Sequence, residues 1–127
     1  MTDFAPLENA GPYLDHAGPL LGRPDGTIGL RIEPRHLNAA GSAHGGFLAS
    51  IADHAMGRAV NDALEDAGAV TVSLTTDYLG PAKEGDWVQA RTEVERMGGS
   101  LAFADCAITA GGKEIVRARG VFAVLGE

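Results

Sequence analysis

Apolar residues recur at the spacing of a helix through Leu48, Ile51, Ala52, Ala55, Ala59, Ala63 and Leu64, and no other stretch of the 127 residues sustains that period for so long. A chain with one long apolar helix must find something to cover it. Ser42 or His44 near the start and Gly68 in the place of a left-handed cap predict a helix over about residues 44–67. Alanine and glycine dominate one side of it, and small side chains allow close approach to a sheet or to another helix, so a buried helix is expected.

The covering layer reads as strands. Ile28, Leu30 and Ile32 alternate with Thr27, Gly29, Arg31 and Glu33 in the period of two that marks a half-buried strand, and Pro34 ends it. After the helix, strands are predicted at about residues 70–79, 86–97, 100–110 and 114–125. They are separated by the turn signals Gly80-Pro81 through Gly85-Asp86, Gly98-Gly99 and Gly111-Gly112. Residues 1–26 mix Pro, Gly and acids with short apolar pieces and are expected to form a lead-in with at most a short helix. The order predicts an α+β fold in which a five-stranded antiparallel sheet covers one long central helix, as a single domain over residues 1–127.

Charge and composition remove several function classes. A net charge of −7 argues against nucleic acid, whose binders carry a basic face. No apolar run approaches the ~18 residues of a membrane span, and the acids and prolines at the N-terminus are unlike an export signal. Cys106 is the single cysteine, so no intrachain disulfide is available and a reducing cytoplasm is the expected compartment.

Chemistry concentrates at the start of the helix, where residues 38–53 read NAAGSAHGGFLASIAD. The first turn of a helix leaves backbone N–H groups without partners and favours negative charge, and Gly45 and Gly46 would let a ligand touch that backbone. A phosphate cradle is the competing reading, but neither the Gly-Lys-Ser/Thr of a P-loop nor a dinucleotide fingerprint is present. Asp53 lies among the apolar Ile51, Ala52, Ala55 and Met56, where a carboxylate calls for a partner or a task unless it occupies the polar edge of the helix. His54, His36 and His44 lie nearby in sequence, yet no His-x-x-x-His pair or cysteine set accompanies them, and no metal site is expected.

The pattern Asn38-x-x-Gly41-x-x-His44-Gly45-Gly46 followed by Asp53 resembles the active-site signature of hotdog-fold acyl-CoA thioesterases of the phenylacetate-operon type. TVSLTTDYLGPAKEGD resembles that family's second strand and its Pro-Ala-x-x-Gly turn, and GGSLAFADCAIT one of its later strands. The resemblance implies a hotdog fold and hydrolysis of an aryl- or medium-chain acyl-CoA to free acid and CoA, with no cofactor beyond the CoA of the substrate. The Gly45 N–H would receive the thioester carbonyl, with Gly46 beside it, and Asn38 would position the water or the carbonyl. Asp53 would act as general base or as attacking carboxylate. Thr71 would orient the water, with Ser73 as rival, and His44 would shape the loop or cap the helix. Lys83 and Arg96 are candidates for the CoA phosphates.

A non-catalytic acyl-CoA-binding or regulatory protein of the same fold is the alternative, and the presence of Asp53 favours the enzyme. A hotdog dehydratase would need a different segment around a catalytic His. Helix geometry adds an expectation about assembly, since Gly46 and Asp53 are separated by roughly 10 Å along the axis at ~1.5 Å per residue. The acid should therefore come from a second copy, giving a homodimer with shared sites, alone or as a dimer of dimers.

Overall fold

The computed structural model describes residues 3–64 and 67–125. In chain order it contains β1 (Ala5–Pro6), α1 (Pro12–Ala17), β2 (Leu21–Gly22), β3 (Ile28–Arg31), a 3-10 turn at Pro34–His36, α2 (Gly45–Ala63), β4 (Ala69–Tyr78), β5 (Trp87–Met97), β6 (Leu101–Ala110) and β7 (Lys113–Val124). The strands form one sheet in the order β1-β2-β3-β5-β6-β7-β4, with antiparallel pairing throughout. The α+β layout with one long helix is as expected, but the sheet has seven strands rather than five. The two extra strands, β1 and β2, are two residues each and pair outward from β3. Neither is long enough to show an alternating pattern.

Period-two patterning builds the helix-facing side of the sheet. Ala102, Ala104, Cys106 and Ile108 of β6 are buried, as are Val88 and Ala90 of β5 and Val116, Ala118 and Phe122 of β7. Many of these are small. A flat bed of alanine and glycine lets α2 settle directly on strands β4 to β7, and the helix buries Phe47, Leu48, Ile51, Ala52, Ala55, Met56 and Val60 there. Gly120 is required by this approach, because a Cβ on it would lie 2.8 Å from the Phe122 ring and 3.2 Å from the Met56 methyl. Positive φ at Gly111 (60°) and Gly112 (80°) provides the tight β6–β7 hairpin.

The helix ends earlier than its sequence period predicts. The last described helical residue is Ala63, and residues 65 and 66 of the expected helix lie outside the described residues. Gly68 does not act as the left-handed cap. Asn61 does the capping work instead: its Nδ2 donates to the Gly57 carbonyl (2.8 Å) and its Oδ1 accepts from the Ala69 N–H (3.1 Å), turning the chain into β4. Among the described residues no helix is long and apolar enough to cross a membrane.

Two outcomes follow from this packing. Phe122→Ala should cost about 3–5 kcal/mol, the usual range for emptying a buried aromatic site, measurable as a lowered urea midpoint with an unchanged slope. Cys106 is 1% exposed, and burial pushes its thiol up to about 11. The folded protein should therefore resist iodoacetamide at neutral pH and react once unfolded. Because the native state holds that proton longer than the unfolded chain, the Cys106 contribution makes stability fall as pH rises from the ordinary thiol value of 9.0 toward about 11.

Candidate active site

The loop before α2 is organised by its own polar groups. Asn38 Oδ1 accepts the N–H groups of Ala40 (2.9 Å) and Ser42 (3.1 Å), and Gly41 takes the positive φ (90°) that this tight loop requires. Backbone bonds from Asn38 N–H to the Ser42 carbonyl (2.7 Å) and from Ala43 N–H to the Ala82 carbonyl (2.8 Å) pin the loop to the turn before β5. The Asn38 amide nitrogen keeps no partner among the described residues.

His44 is the N-cap of α2. Its Nδ1 accepts the Gly46 N–H at 2.9 Å, so one of the first-turn donors is satisfied within the chain. The Gly45 N–H has no such partner among the described residues. Tyr78, at the end of β4, donates its hydroxyl to the Gly45 carbonyl at 2.7 Å and lays its ring against the glycine. The result is a helix entry at which the Gly45 and Phe47 N–H groups have no partner among the described residues, and Gly45 is the one that lines a cleft. The cleft measures about 410 Å³ and is lined by Asn38, Gly45, Leu48, Tyr78, Leu79 and Ala82. Lys83 follows Ala82 and bridges to Ser42, which puts it at the rim of this cleft.

Asp53 emerges two turns further along α2, on the flank facing β4. Its carboxylate is partly exposed rather than sealed in the core, and Oδ1 accepts the Thr71 hydroxyl at 2.7 Å. A bulge between Thr71 and Ser73 interrupts the β4–β7 register at this point. Of the two hydroxyls considered from sequence, Thr71 meets the acid and Ser73 forms no hydrogen bond to it. His54 sits beside Asp53. Burial holds its imidazole below the usual histidine range, the charge of Arg58 pushes the same way, and Asp53 pulls against both.

Arg96 is not brought to this site. Its β5 position is in the row of Phe103, Val121 and Ser73, toward the end of the sheet opposite the helix entry. His36, the other histidine near the motif, is 4% exposed, with Nδ1 accepting the Glu33 N–H and Nε2 donating to the Ala17 carbonyl. Among the described residues no group of three or more His, Cys, Asp or Glu side chains is arranged to hold a metal ion. Tyr78 was missed as a site residue by the sequence reading. Its only local signal is an aromatic hydroxyl at the strand end that returns the chain to the helix entry.

Comparison with known proteins places this arrangement. The family model described as Thioesterase superfamily matches residues 40–116. A Pseudomonas aeruginosa protein bearing the name "Putative esterase" is 38% identical over 124 residues, covering 94% of this chain and 92% of its own. A Bacillus halodurans protein solved with CoA superposes with a TM-score of 0.83 at 28% identity, over 91% of this chain and 77% of its own. The Escherichia coli PaaI protein of the phenylacetic acid degradation operon superposes with a TM-score of 0.74 at 30% identity, over 79% of this chain and 72% of its own. With the family match spanning more than half of the chain and the hotdog layout in place around the Asn38–Asp53 motif, the chain belongs to the thioesterase superfamily as a thioester hydrolase of the PaaI-like type.

Proposed function

We propose that the protein hydrolyses acyl-CoA thioesters at a site assembled from two copies of the chain. The observation that carries this reading is the division of labour at the start of α2. His44 caps the Gly46 N–H, and the Gly45 N–H is left to bind an oxygen. That donor lies at the positive end of a 19-residue helix, where a developing oxyanion is stabilised most. Solved relatives support the CoA part of the reading, since the Bacillus halodurans protein holds CoA.

The reaction is a balanced acyl transfer to water. Asp53, held in place by Thr71, takes a proton from a water molecule whose oxygen attacks the thioester carbonyl carbon. The carbonyl oxygen becomes an oxyanion received by the Gly45 N–H. Collapse breaks the carbon–sulfur bond, the thiolate leaves as CoA after taking up a proton, and the acid remains. The Asn38 amide nitrogen, with its oxygen committed to the loop, is available to position the water or the carbonyl. Lys83 at the cleft rim is the basic residue best placed for a CoA phosphate, and Arg96 could contribute only from elsewhere in an assembly.

One chain does not complete this geometry. Gly45 and Asp53 are eight positions apart on α2, about 12 Å along the axis at ~1.5 Å per residue, so one carbon cannot be within reach of both. Two α2 helices packed antiparallel about a dyad put the entry of one beside the acid of the other. The exposed flank of α2 offers Gly46, Ser50, Asp53 and Gly57, small enough for a second helix to lie close. On the same side β4 is paired only with β7 among the described residues and exposes Val70 (49%) and Val72 (59%). A homodimer covers both features.

Asp53→Asn should fold normally and lose at least about a hundredfold in turnover when thiol release from acyl-CoA is followed; near-normal turnover would reject the assignment. Thr71→Val should lower turnover by less than Asp53→Asn does, because it loosens the acid without removing it, whereas Ser73→Ala should have little effect. The shared site is tested by complementation. Gly45→Pro removes the N–H at a helix position where proline is tolerated, and the half-exposed Tyr78 can swing away from the new ring. It and Asp53→Ala should each be inactive alone. Unfolded, mixed in equal amounts and refolded, they should recover roughly a quarter of wild-type activity, because half of the random dimers keep one intact site. Confirmed heterodimers that stay inactive would reject the shared site.

A further inference from the structure

The two glycines that open α2 are not there for an unusual backbone angle. Neither Gly45 nor Gly46 has a positive φ, so the backbone at both positions is one that alanine could also adopt. What excludes a side chain at position 45 is Tyr78. A Cβ built on Gly45 would lie 3.2 Å from Cζ, 3.3 Å from Cε1 and 3.3 Å from the hydroxyl oxygen of Tyr78, and these are its three nearest neighbours. Gly46 is roofed by the His44 ring in the same manner, at 3.0 and 3.1 Å. The two rings also reach the backbone from opposite sides. His44 takes the Gly46 N–H at 2.9 Å, whereas Tyr78 donates to the Gly45 carbonyl at 2.7 Å. Tyr78 can act as a restraint because its own backbone is fixed. It pairs with Val116, and the next two residues, Leu79 and Gly80, both donate to the Ile115 carbonyl (2.8 and 3.3 Å). The side chain itself is 51% exposed, so burial of the ring does not account for its place.

We propose that Tyr78 is a positioning residue of the hydrolysis: its hydroxyl bond and ring contact hold Gly45 so that the N–H keeps one direction, and its ring is the reason position 45 is glycine. The inference rests on the thioester reading, which places the carbonyl oxygen at that N–H. A donor stabilises a developing oxyanion well only when it is aimed before the charge appears. Glycine works against this, because it gives up more conformational freedom on being ordered than any other residue. An entry of two glycines therefore needs a restraint on each, and His44 supplies one while Tyr78 supplies the other. The oxyanion forms only after the substrate is bound, so the restraint acts on the transition state and its loss falls on kcat rather than on affinity.

The test measures kcat, KM and inhibition by free CoA in the full chain, with acetyl- and phenylacetyl-CoA as substrates. Tyr78→Phe keeps the ring and removes only the bond to the Gly45 carbonyl. It should lower kcat about tenfold, as small misplacements of a reacting group do, while KM and CoA inhibition stay within about twofold and the unfolding midpoint is unchanged. Gly45→Ala retains the N–H and should by itself lower kcat about tenfold by pushing the ring aside. In a Tyr78→Ala background, where that space is open, the same substitution should cost less than about twofold further. Effects of the two sites that simply multiply would overturn the proposal. So would a Tyr78→Phe variant with wild-type kcat, or one whose KM and CoA inhibition weaken while kcat holds, since Tyr78 would then touch the substrate directly. Tyr78→Phe alters one hydroxyl on a half-exposed ring, so it is expected to fold even if Gly45→Ala does not. A wild-type protein that releases thiol from neither ester would instead bring down the thioester reading, and this inference with it.

Discussion

The seating of α2 on a bed of small residues is the contact on which the other features depend. Ala102, Ala104, Ala118 and Gly120 leave no bulk between helix and sheet, and Ala52, Ala55 and Met56 answer from the helix side. Close approach in a well-packed interior leaves little freedom of rotation about the helix axis. With that rotation set, Gly45 must meet Tyr78 at one end of β4 and Asp53 must meet Thr71 near the other. The β4 strand thus acts as a ruler along α2. Its bulge at residues 71–73 adjusts the register where the acid needs a hydroxyl.

Most polar groups around the helix entry are committed, and among the described residues the donors left over are the Asn38 amide nitrogen and the Gly45 and Phe47 N–H groups, of which Asn38 and Gly45 line the same cleft. Asn38 spends its oxygen on the loop, His44 its Nδ1 on Gly46, and His36 both ring nitrogens on the backbone. A loop so fully bonded is pre-organised, and donors held rigid before the reaction stabilise developing charge without rearrangement. The Gly45 N–H inherits that rigidity from its neighbours. The histidine of the motif is the N-cap of α2 and occupies the Gly46 N–H, so in the proposed mechanism it would act through geometry.

How much of this was legible in the sequence depended on whether the deciding forces were local. The β5, β6 and β7 hairpins were readable to within a residue because alternation and glycine turns are chemistry of adjacent residues, as at Gly111-Gly112. The helix end was not, because Asn61 caps it through Ala69, a partner reached only after the chain has turned. The strands β1 and β2 were invisible for a related reason. Two residues carry no period, and their pairing depends on contacts such as the Phe4–Trp87 edge-on ring pair (5.1 Å), which covers Gly29. In the site, the motif residues of the loop and helix were legible as a linear pattern, whereas Tyr78 and the choice of Thr71 over Ser73 needed the strand to be laid beside the helix.

Under the proposed mechanism, the two halves of the chemistry, the Gly45 N–H and the Asp53 carboxylate, lie on one rigid element that keeps them apart. A flexible loop could bring an acid to an oxyanion site, but two turns of packed helix cannot bend by 12 Å, a separation of about eight residues at ~1.5 Å each. In the proposed dimer the missing half would arrive at the small-residue flank of α2 and at β4, which pairs only with β7 among the described residues. Antiparallel association, as proposed, would supply it twice, because a dyad that brings one acid to one entry brings the other pair together by symmetry. One face of α2 is buried through Phe47, Leu48, Ile51, Ala52, Ala55, Met56 and Val60, and the other carries Gly46, Ser50, Asp53 and Gly57, so the same helix would serve the core with one set of residues and the proposed assembly with another.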